Sequence, residues 1–510
     1  MKKSIKLFSS ALTAAALVAS AVSMSLPLHA DNPTIQTSYT PDPAPMVYDG
    51  VFYFYTGNDA PGSSFYTMTD WQCFSSTDMQ NWENHGSVLS YTDFEWADPD
   101  SCWAAQCIER DGKFYLYVTL TTSLYGGGRA IGVAVADSPT GPFKDAIGKP
   151  LCGPNWTYID PTVFIDDDGQ AYLYFGNPTL YWVKLKKNMI ETEGEPQAFE
   201  MTAEQFGKSE NPESSCLYTE GPWIYKRDGI YYMVYAASGI PETIDYATSD
   251  SPTGPWKYGG RIMDNCPTSF TIHPGIIEYD GRAYFTYHTG DLEGGGGFTR
   301  SGAIEEFSFK SDGSIPHIEA TSEGPQQLRW FNPYKKTRAS TMCSQQGIKL
   351  ERGENGLYAT KCSNGDYIKI AGVNFAADAT EFYADVSAIR SGGAVELRLD
   401  SPDGELVGTL SVPECTEDQD WQSLSCSVKG ASGVHDLYMV FTSEGTAGYV
   451  NMDSWSFDGE YTDADFSDQV VSSKKGGISG KAIAAAAAVA AAGAAAAIIA
   501  VRSRKKKKAD

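Results

Sequence analysis

Positive charge is scarce in this chain. Its 510 residues carry 39 Lys and Arg against 64 Asp and Glu, a net charge of -25. Phosphate binding needs clustered cations, so this balance argues against a nucleic-acid partner. The one dense basic group, Arg502, Arg504 and Lys505 to Lys508, is at the extreme C-terminus. Zinc spacing is also missing. The ten cysteines and six histidines include no CxxC pair and no clustered His/Cys set, so no zinc site is expected. No cysteine stands at the end of the N-terminal apolar run, which argues against a lipoprotein anchor.

What is present at the two ends points to export. Residues 1–30 have a basic start, an Ala/Leu/Val run and small residues before Asp31, the pattern of a signal peptide cleaved after Ala30. Export makes the ten cysteines potential disulfide partners, with the pairing open. Residues 459–480 lack apolar periodicity and read as a linker. Residues 482–501 carry no charge and precede the basic tail, 502–510. That length suits a transmembrane helix with its C-terminus inside. The expected location is therefore extracellular, with the chain anchored to the cell membrane by its C-terminal helix.

Aromatic residues are plentiful, at 13% with 30 Tyr and 11 Trp, and Gly and Asn/Asp turns are frequent. The composition favours an all-β fold, and the length suggests two or three folded units. A corner followed by a hairpin recurs five times between residues 31 and 330. Its hairpins turn at Asp49-Gly50, Asp111-Gly112, Asp168-Gly169, Asp228-Gly229 and Asp280-Gly281. Asp-Gly between two apolar runs is a strong hairpin signal. The corners are Asp42, Ala104, Asp160, Glu220 and His273, spaced by 62, 56, 60 and 53 residues. A second element recurs late in several units, as Asp137-Ser138-Pro139-Thr140-Gly141-Pro142 and again as Asp250-Ser251-Pro252-Thr253-Gly254-Pro255. A repeat near sixty residues with several short strands each predicts a five-bladed β-propeller. The innermost strand of each blade borders the axis, so the corner residues would ring one mouth of the channel. Asp98-Pro99 falls out of this frame and reads as a loop. From 332 to 458, closely spaced alternating runs such as Ala394 to Leu399 and Leu437 to Phe441 predict a β-sandwich.

Three carboxylates and an imidazole around one mouth suggest chemistry. Crowded like charges resist ionising together, so one acid stays protonated near neutral pH. Glycoside hydrolysis needs that division, with one carboxylic acid for the leaving oxygen and one carboxylate as base or nucleophile. Trp103, Trp223 and Tyr158 are placed to stack on sugar faces. The simpler reading is turn chemistry, since Asp before Pro bonds its local backbone. It accounts for any single corner, and less well for Glu and His replacing Asp.

Four stretches carry a family resemblance: Asp42 to Val47, Tyr158 to Phe164, Tyr218 to Trp223, and Gly294 to Ser301. Over about residues 38–330 the chain resembles glycoside hydrolase family 43, above all its arabinoxylan arabinofuranohydrolases. The resemblance implies Asp42 as general base, Glu220 as general acid, and Asp160 as the group that orients Glu220 and raises its pKa. Arg300 matches an arginine near the sugar. His273 matches a histidine that, in relatives, helps hold a structural calcium ion. The family inverts, which implies a separation of roughly 6.5–9.5 Å between Asp42 and Glu220. No cofactor is implied for the chemistry. Residues 332–458 resemble a family 6 carbohydrate-binding module, on Asn364 to Lys369, Arg398 to Pro402, Gly433 to Tyr438 and Tyr449 to Asp453. Trp421 and Asn451 match its sugar-binding positions, with Tyr358 as a substitute for the missing second aromatic.

The resemblance therefore implies an enzyme that releases α-L-arabinofuranosyl branches from plant cell-wall arabinoxylan or xylan. The alternatives are a β-xylosidase or arabinan-cleaving enzyme of the same family, and a non-catalytic glycan-binding surface protein.

Overall fold

The computed structural model describes residues 29–375, 379–389, 392–415, 420–443 and 449–459. Hairpins dominate it, and the Asp-Gly pairs explain why. Asp49-Gly50, Asp111-Gly112, Asp228-Gly229 and Asp280-Gly281 all hold positive φ at both residues, between 47° and 81°. That is the type I′ turn, whose twist matches the strands it joins. The third repeat differs. Ile165 pairs with Ala171, so Asp168-Gly169 lies in a five-residue loop rather than a tight turn.

The hairpins build five sheets. Blade I holds strands Ala44–Tyr48, Val51–Thr56, Asp70–Ser76 and Trp82–Ser90. Blade II holds Ala105–Arg110, Lys113–Thr122, Gly128–Ala136 and Lys144–Asp145. Blade III holds Thr162–Ile165, Ala171–Phe175, Tyr181–Leu185 and Thr192–Ala198. Blade IV holds Tyr218–Arg227, Ile230–Ala237, Thr243–Ser249 and Lys257–Met263. Blade V has three strands, Gly275–Tyr279, Arg282–Thr289 and Ser301–Phe307. Strands follow chain order within each blade, and the first strands of the five blades pack on one another in a closed cycle. The ring is closed by the segment before blade I. Its Thr34 and Thr40 N–H groups donate to the Gly302 and Arg300 carbonyls of blade V.

The abundant tyrosines join the blades. Tyr55 of blade I donates its hydroxyl to the Pro139 carbonyl of blade II. Tyr117 reaches Met189, Tyr174 reaches Pro252 and Tyr232 reaches Gly313, each in the next blade. Tyr279 of blade V completes the circle on Thr77 of blade I. Every acceptor lies in the turn after a third strand. The recurring Asp-Ser-Pro-Thr-Gly-Pro element is thus a docking point for the phenol of the preceding blade. A buried hydroxyl needs such a partner.

The C-terminal part is a sandwich of two sheets. One has the order Lys349–Gly353, Gly356–Cys362, Tyr449–Phe457, Glu381–Ile389, Gln422–Ser427. The other has the order Ser344–Gln346, Tyr367–Asn374, Val434–Ser443, Gly393–Leu399, Glu405–Val412. Their inner faces meet in an apolar core that includes Phe382, Leu397, Met439, Phe441 and Trp455. The sandwich is joined to the propeller through Thr341–Met342, which adds a fifth strand to blade I beside Trp82 and Glu83.

Two expectations change. The fold class is corrected by removing the C-terminal transmembrane helix: no helix among the described residues is long and apolar enough to cross a membrane. Residues 482–501, which carried that expectation, lie outside the described residues, as do 1–28 of the signal segment, 460–480 of the linker and the 502–510 tail. The membrane anchoring and the membrane partner that depended on the helix go with it. None of the ten cysteines, all described, forms a disulfide in the structure.

Candidate active site

One mouth of the propeller opens into a pocket of about 320 Å³. Asp42, Trp103, Ala104, Asp160, Glu220, His273 and Arg300 all line it. Trp223 does not. It packs in the core between blades IV and V, and its indole N–H donates to the Ile276 carbonyl. Tyr158 packs edge-on against Phe175 and Tyr181.

Asp42 precedes the first strand of blade I with a left-handed φ of 52°. Asp tolerates that region better than most residues. The turn aims its carboxylate at Arg300, whose Nη1 donates to Oδ1 at 2.9 Å. Arg300 is itself clamped by Asp59, from Nε and Nη2 at 3.0 Å each, and it lies over the Tyr66 ring at 5.1 Å. The Asp42 N–H donates to His288 Nδ1, and His288 Nε2 faces the Thr271 carbonyl. The His288 ring therefore carries its proton on Nε2. Burial is the largest single influence and would raise the Asp42 pKa; the Arg300 guanidinium, with His288 and His273 added, outweighs it and holds the carboxyl well below its usual range. Asp42 is an ionised carboxylate at any working pH.

The opposite wall is built differently. Asp160 repeats the Asp42 corner, with φ 58°. In blade IV the left-handed residue before proline is Gly221, φ 56°, and Glu220 comes one residue earlier. The extra residue appears as a bulge: Glu220 pairs with Ala236 but Trp223 with Val234. Such bulges redirect side chains. Here it turns the Gly221 N–H onto Asp160 Oδ2 at 3.0 Å and leaves Glu220 partly exposed in the pocket. Asn177 Nδ2 donates to Glu220 Oε2. Burial, then the charges of Glu220 and Asp42, push Asp160 well above the ordinary carboxylate range.

Asp59 and Glu242, like His288 and Asn177, stand outside the sequence motifs. Asp59, fully buried, fixes Arg300. Glu242 is 2% exposed, accepts the Ile272 N–H and lines the pocket beside Glu220. Neither belongs to the repeat, so nothing in the spacing marks them.

His273 borders Asp42, with Nδ1 3.9 Å from Oδ1. Burial pulls its imidazole down to about 4, so it is neutral at neutral pH. The titratable groups facing it are Asp42, His288 and Arg300. One carboxylate already bonded to a guanidinium does not fit a calcium ion, which takes six to eight oxygens. Among the described residues no group of three or more His, Cys, Asp or Glu is placed to hold a metal.

In the sandwich, the expected sugar-binding positions lie close together but inward. Tyr358 is fully buried and meets Trp421 edge-on at 5.1 Å. Asn451 is also fully buried; its Oδ1 accepts the Lys361 N–H and its Nδ2 donates to Ser387. Trp421 is half-buried.

Comparison with known proteins adds to this geometry. Residues 30–315 match the model of Glycosyl hydrolases family 43, and 338–459 that of Carbohydrate binding module (family 6). An arabinoxylan arabinofuranohydrolase of Bacillus subtilis (strain 168) is 32% identical over 84% of this chain and 92% of its own length. One from Paenibacillus polymyxa is 31% identical, over 84% of this chain and 74% of its own. The crystal structure of a family 43 arabinoxylan arabinofuranohydrolase from Bacillus subtilis, in complex with cellotetraose, superposes with a TM-score of 0.73 at 30% identity, covering 84% of this chain and 97% of that one.

Proposed function

Since the chain belongs to glycosyl hydrolases family 43 and is a glycosidase, we propose that it releases arabinofuranosyl side chains from arabinoxylan by inverting hydrolysis. The asymmetry of the pocket carries this reading. Asp42 is matched to a guanidinium and stays ionised. Asp160, Glu220 and Glu242 crowd the far wall, where burial and mutual repulsion favour a retained proton.

Asp42 accepts a proton from a water as that water attacks the anomeric carbon. Glu220 gives its proton to the leaving oxygen of the xylan chain. Asp160 orients Glu220 through the Gly221 N–H. Arg300 fixes the Asp42 carboxylate, and Trp103 and Tyr66 border the bound sugar.

The test pairs Glu220→Gln with product analysis. The variant loses about 10²–10⁴-fold in kcat on arabinoxylan. Chromatography of the wild-type digest yields arabinose. Undiminished turnover by the variant overturns the acid assignment, and xylose as the sole product overturns the substrate.

A further inference from the structure

Tyr358 and Asn451, which the sequence marks for sugar, are buried in the sandwich, but its outer face carries another aromatic. In the strand Glu381–Ile389, Phe382, Ala384 and Val386 point into the core, so Tyr383 and Asp385 point out. Tyr383 stands in register with Ser425 on one side and Ser456 on the other, and Asp385 with Ser423 and Ser454. Serines are too short to cover a phenol ring, and Tyr383 is 45% exposed. Asp385 is the hub of the polar groups around it. Its carboxylate accepts from Ser423 and Ser454 at 2.5 and 3.0 Å and from Lys336 Nζ at 2.6 Å. These groups line a cavity of about 330 Å³.

A second cavity, of about 480 Å³, lies in the seam between blade I and the sandwich. Ser75 and Glu83 of blade I wall it, with Arg329 and Trp330 of the connecting segment and Thr337 and Arg338 of the sandwich. Lys336 lines both cavities. Register also makes them neighbours. The two-residue strand Thr337–Arg338 pairs with Trp455 and Ser454, which border the first cavity. One groove therefore runs from half-buried Trp330 across Lys336 to Tyr383. Among the described residues it shares none of its lining with the catalytic pocket.

Three cations along the groove are matched to acids. Lys336 bonds Asp385, Arg338 bonds Asp453 at 2.8 Å, and Arg329 faces Asp280 at 3.5 Å. Paired charges, hydroxyls and two aromatic rings suit a ligand that is uncharged, rich in hydroxyls and apolar on its ring faces. A pyranose chain has that character, and two cavities in series suit several sugar rings rather than one. We propose that the groove is a non-catalytic binding site for the xylan main chain, spanning the seam and holding the polymer while the catalytic pocket removes its branches. The choice of occupant rests on arabinoxylan being the substrate.

The experiment is affinity electrophoresis of the full chain in native gels containing linear xylan, with Glu220→Gln present throughout to stop hydrolysis. Tyr383→Ala weakens binding about tenfold. Trp330→Ala does the same, because one chain contacts both ends. Without the Glu220 change, each variant keeps wild-type kcat/KM on short arabinoxylan oligosaccharides. If Trp330→Ala fails to fold by circular dichroism, Thr77→Arg replaces it; Thr77 is exposed at the seam cavity, and the longer side chain crowds it. Undiminished retardation of Tyr383→Ala overturns the proposal. Loss with Tyr383→Ala but full binding by the seam variant confines the sugar to the sandwich and overturns the groove. Retardation by linear arabinan and not by xylan overturns the occupant. Slower turnover of short oligosaccharides by Tyr383→Ala marks a general defect and overturns the proposal too. Any of these beside an inactive Glu220→Gln defeats this inference alone. An active Glu220→Gln defeats the acid assignment, and xylose as the sole digestion product defeats the substrate reading, while neither alters retardation by xylan.

Discussion

At the scale of single residues, the pocket sorts carboxyls by what they touch. Asp42 meets a guanidinium, while Asp160 meets one N–H and other acids. The contrast reaches stability as well as chemistry. The folded pKa of Asp160 lies above its unfolded value, so the native state keeps a proton that the unfolded chain releases. Stability from this group is therefore full below about pH 4 and declines as pH rises toward the folded pKa. Asp160→Asn removes the ionisation but keeps an oxygen for the Gly221 N–H. Its melting temperature should match wild type near pH 4 and exceed it near pH 7, with a gain on the order of 1 kcal/mol, while kcat falls. Calorimetry at the two pH values checks this; a variant less stable at pH 7 would remove the argument. The corner acids and Arg300 were legible in the sequence because they sit in motifs. Asp59 and Glu242 were not, since their meaning comes from partners far along the chain, such as Arg300, 241 residues from Asp59. Trp223 and Tyr358 show the reverse. Trp223 beside the ring reads as a sugar platform and the family resemblance offers Tyr358 as one, yet here each is buried in a core.

At the scale of elements, repetition was visible but its exceptions were not. The hairpin count emerged from Asp-Gly, though the third turn is longer because Asp166, not Asp168, accepts the turn's N–H from Gly169. The frame on turn glycines also set Glu220 in line with Asp42, whereas the bulge displaces it by one residue. That displacement depends on Gly221. A Cβ there would meet His273 Nδ1 at 3.2 Å, and φ 56° disfavours any side chain. Gly221→Ala should strain the turn by about 1–2 kcal/mol and swing its N–H off Asp160. We expect kcat/KM to drop about tenfold or more with the circular dichroism spectrum unchanged. Wild-type activity in that variant would separate the bulge from the chemistry. The Tyr-to-turn bonds were half legible: the Pro-Thr-Gly-Pro element stood out, but the phenol that docks on it lies in the neighbouring repeat.

At the scale of the whole molecule, the sandwich is tied to the ring rather than suspended from it. Thr341–Met342 covers the outer edge of blade I, which would otherwise present unpaired N–H and C=O groups. The Asn81 side chain of that blade exchanges two hydrogen bonds with Ala371 of the sandwich, at 2.8 and 2.9 Å. Arg352 donates to the His85 and Ser87 carbonyls, and Gln327 bridges buried Asp78 to Ala371. Thr341–Met342 and Arg352 bond to Trp82–Ser90, the outermost strand that blade I itself supplies, and Asp78 and Asn81 lie in the turn just before it. A chain ending at residue 330 loses all of these bonds but the Gln327 contact to Asp78. Each buried group left unpaired costs about 1–3 kcal/mol, so the truncated propeller should melt several degrees below the intact protein. In the intact protein the two parts should unfold in one calorimetric transition, since neither edge is complete without the other. Two separate transitions, with the propeller melting at the same temperature in both proteins, would mean that the shared strand couples nothing. Loss of polysaccharide retention in the truncated chain therefore has to be measured below its own melting temperature, where a missing module and an unravelled blade I give different results: the first spares hydrolysis of short oligosaccharides, and the second does not.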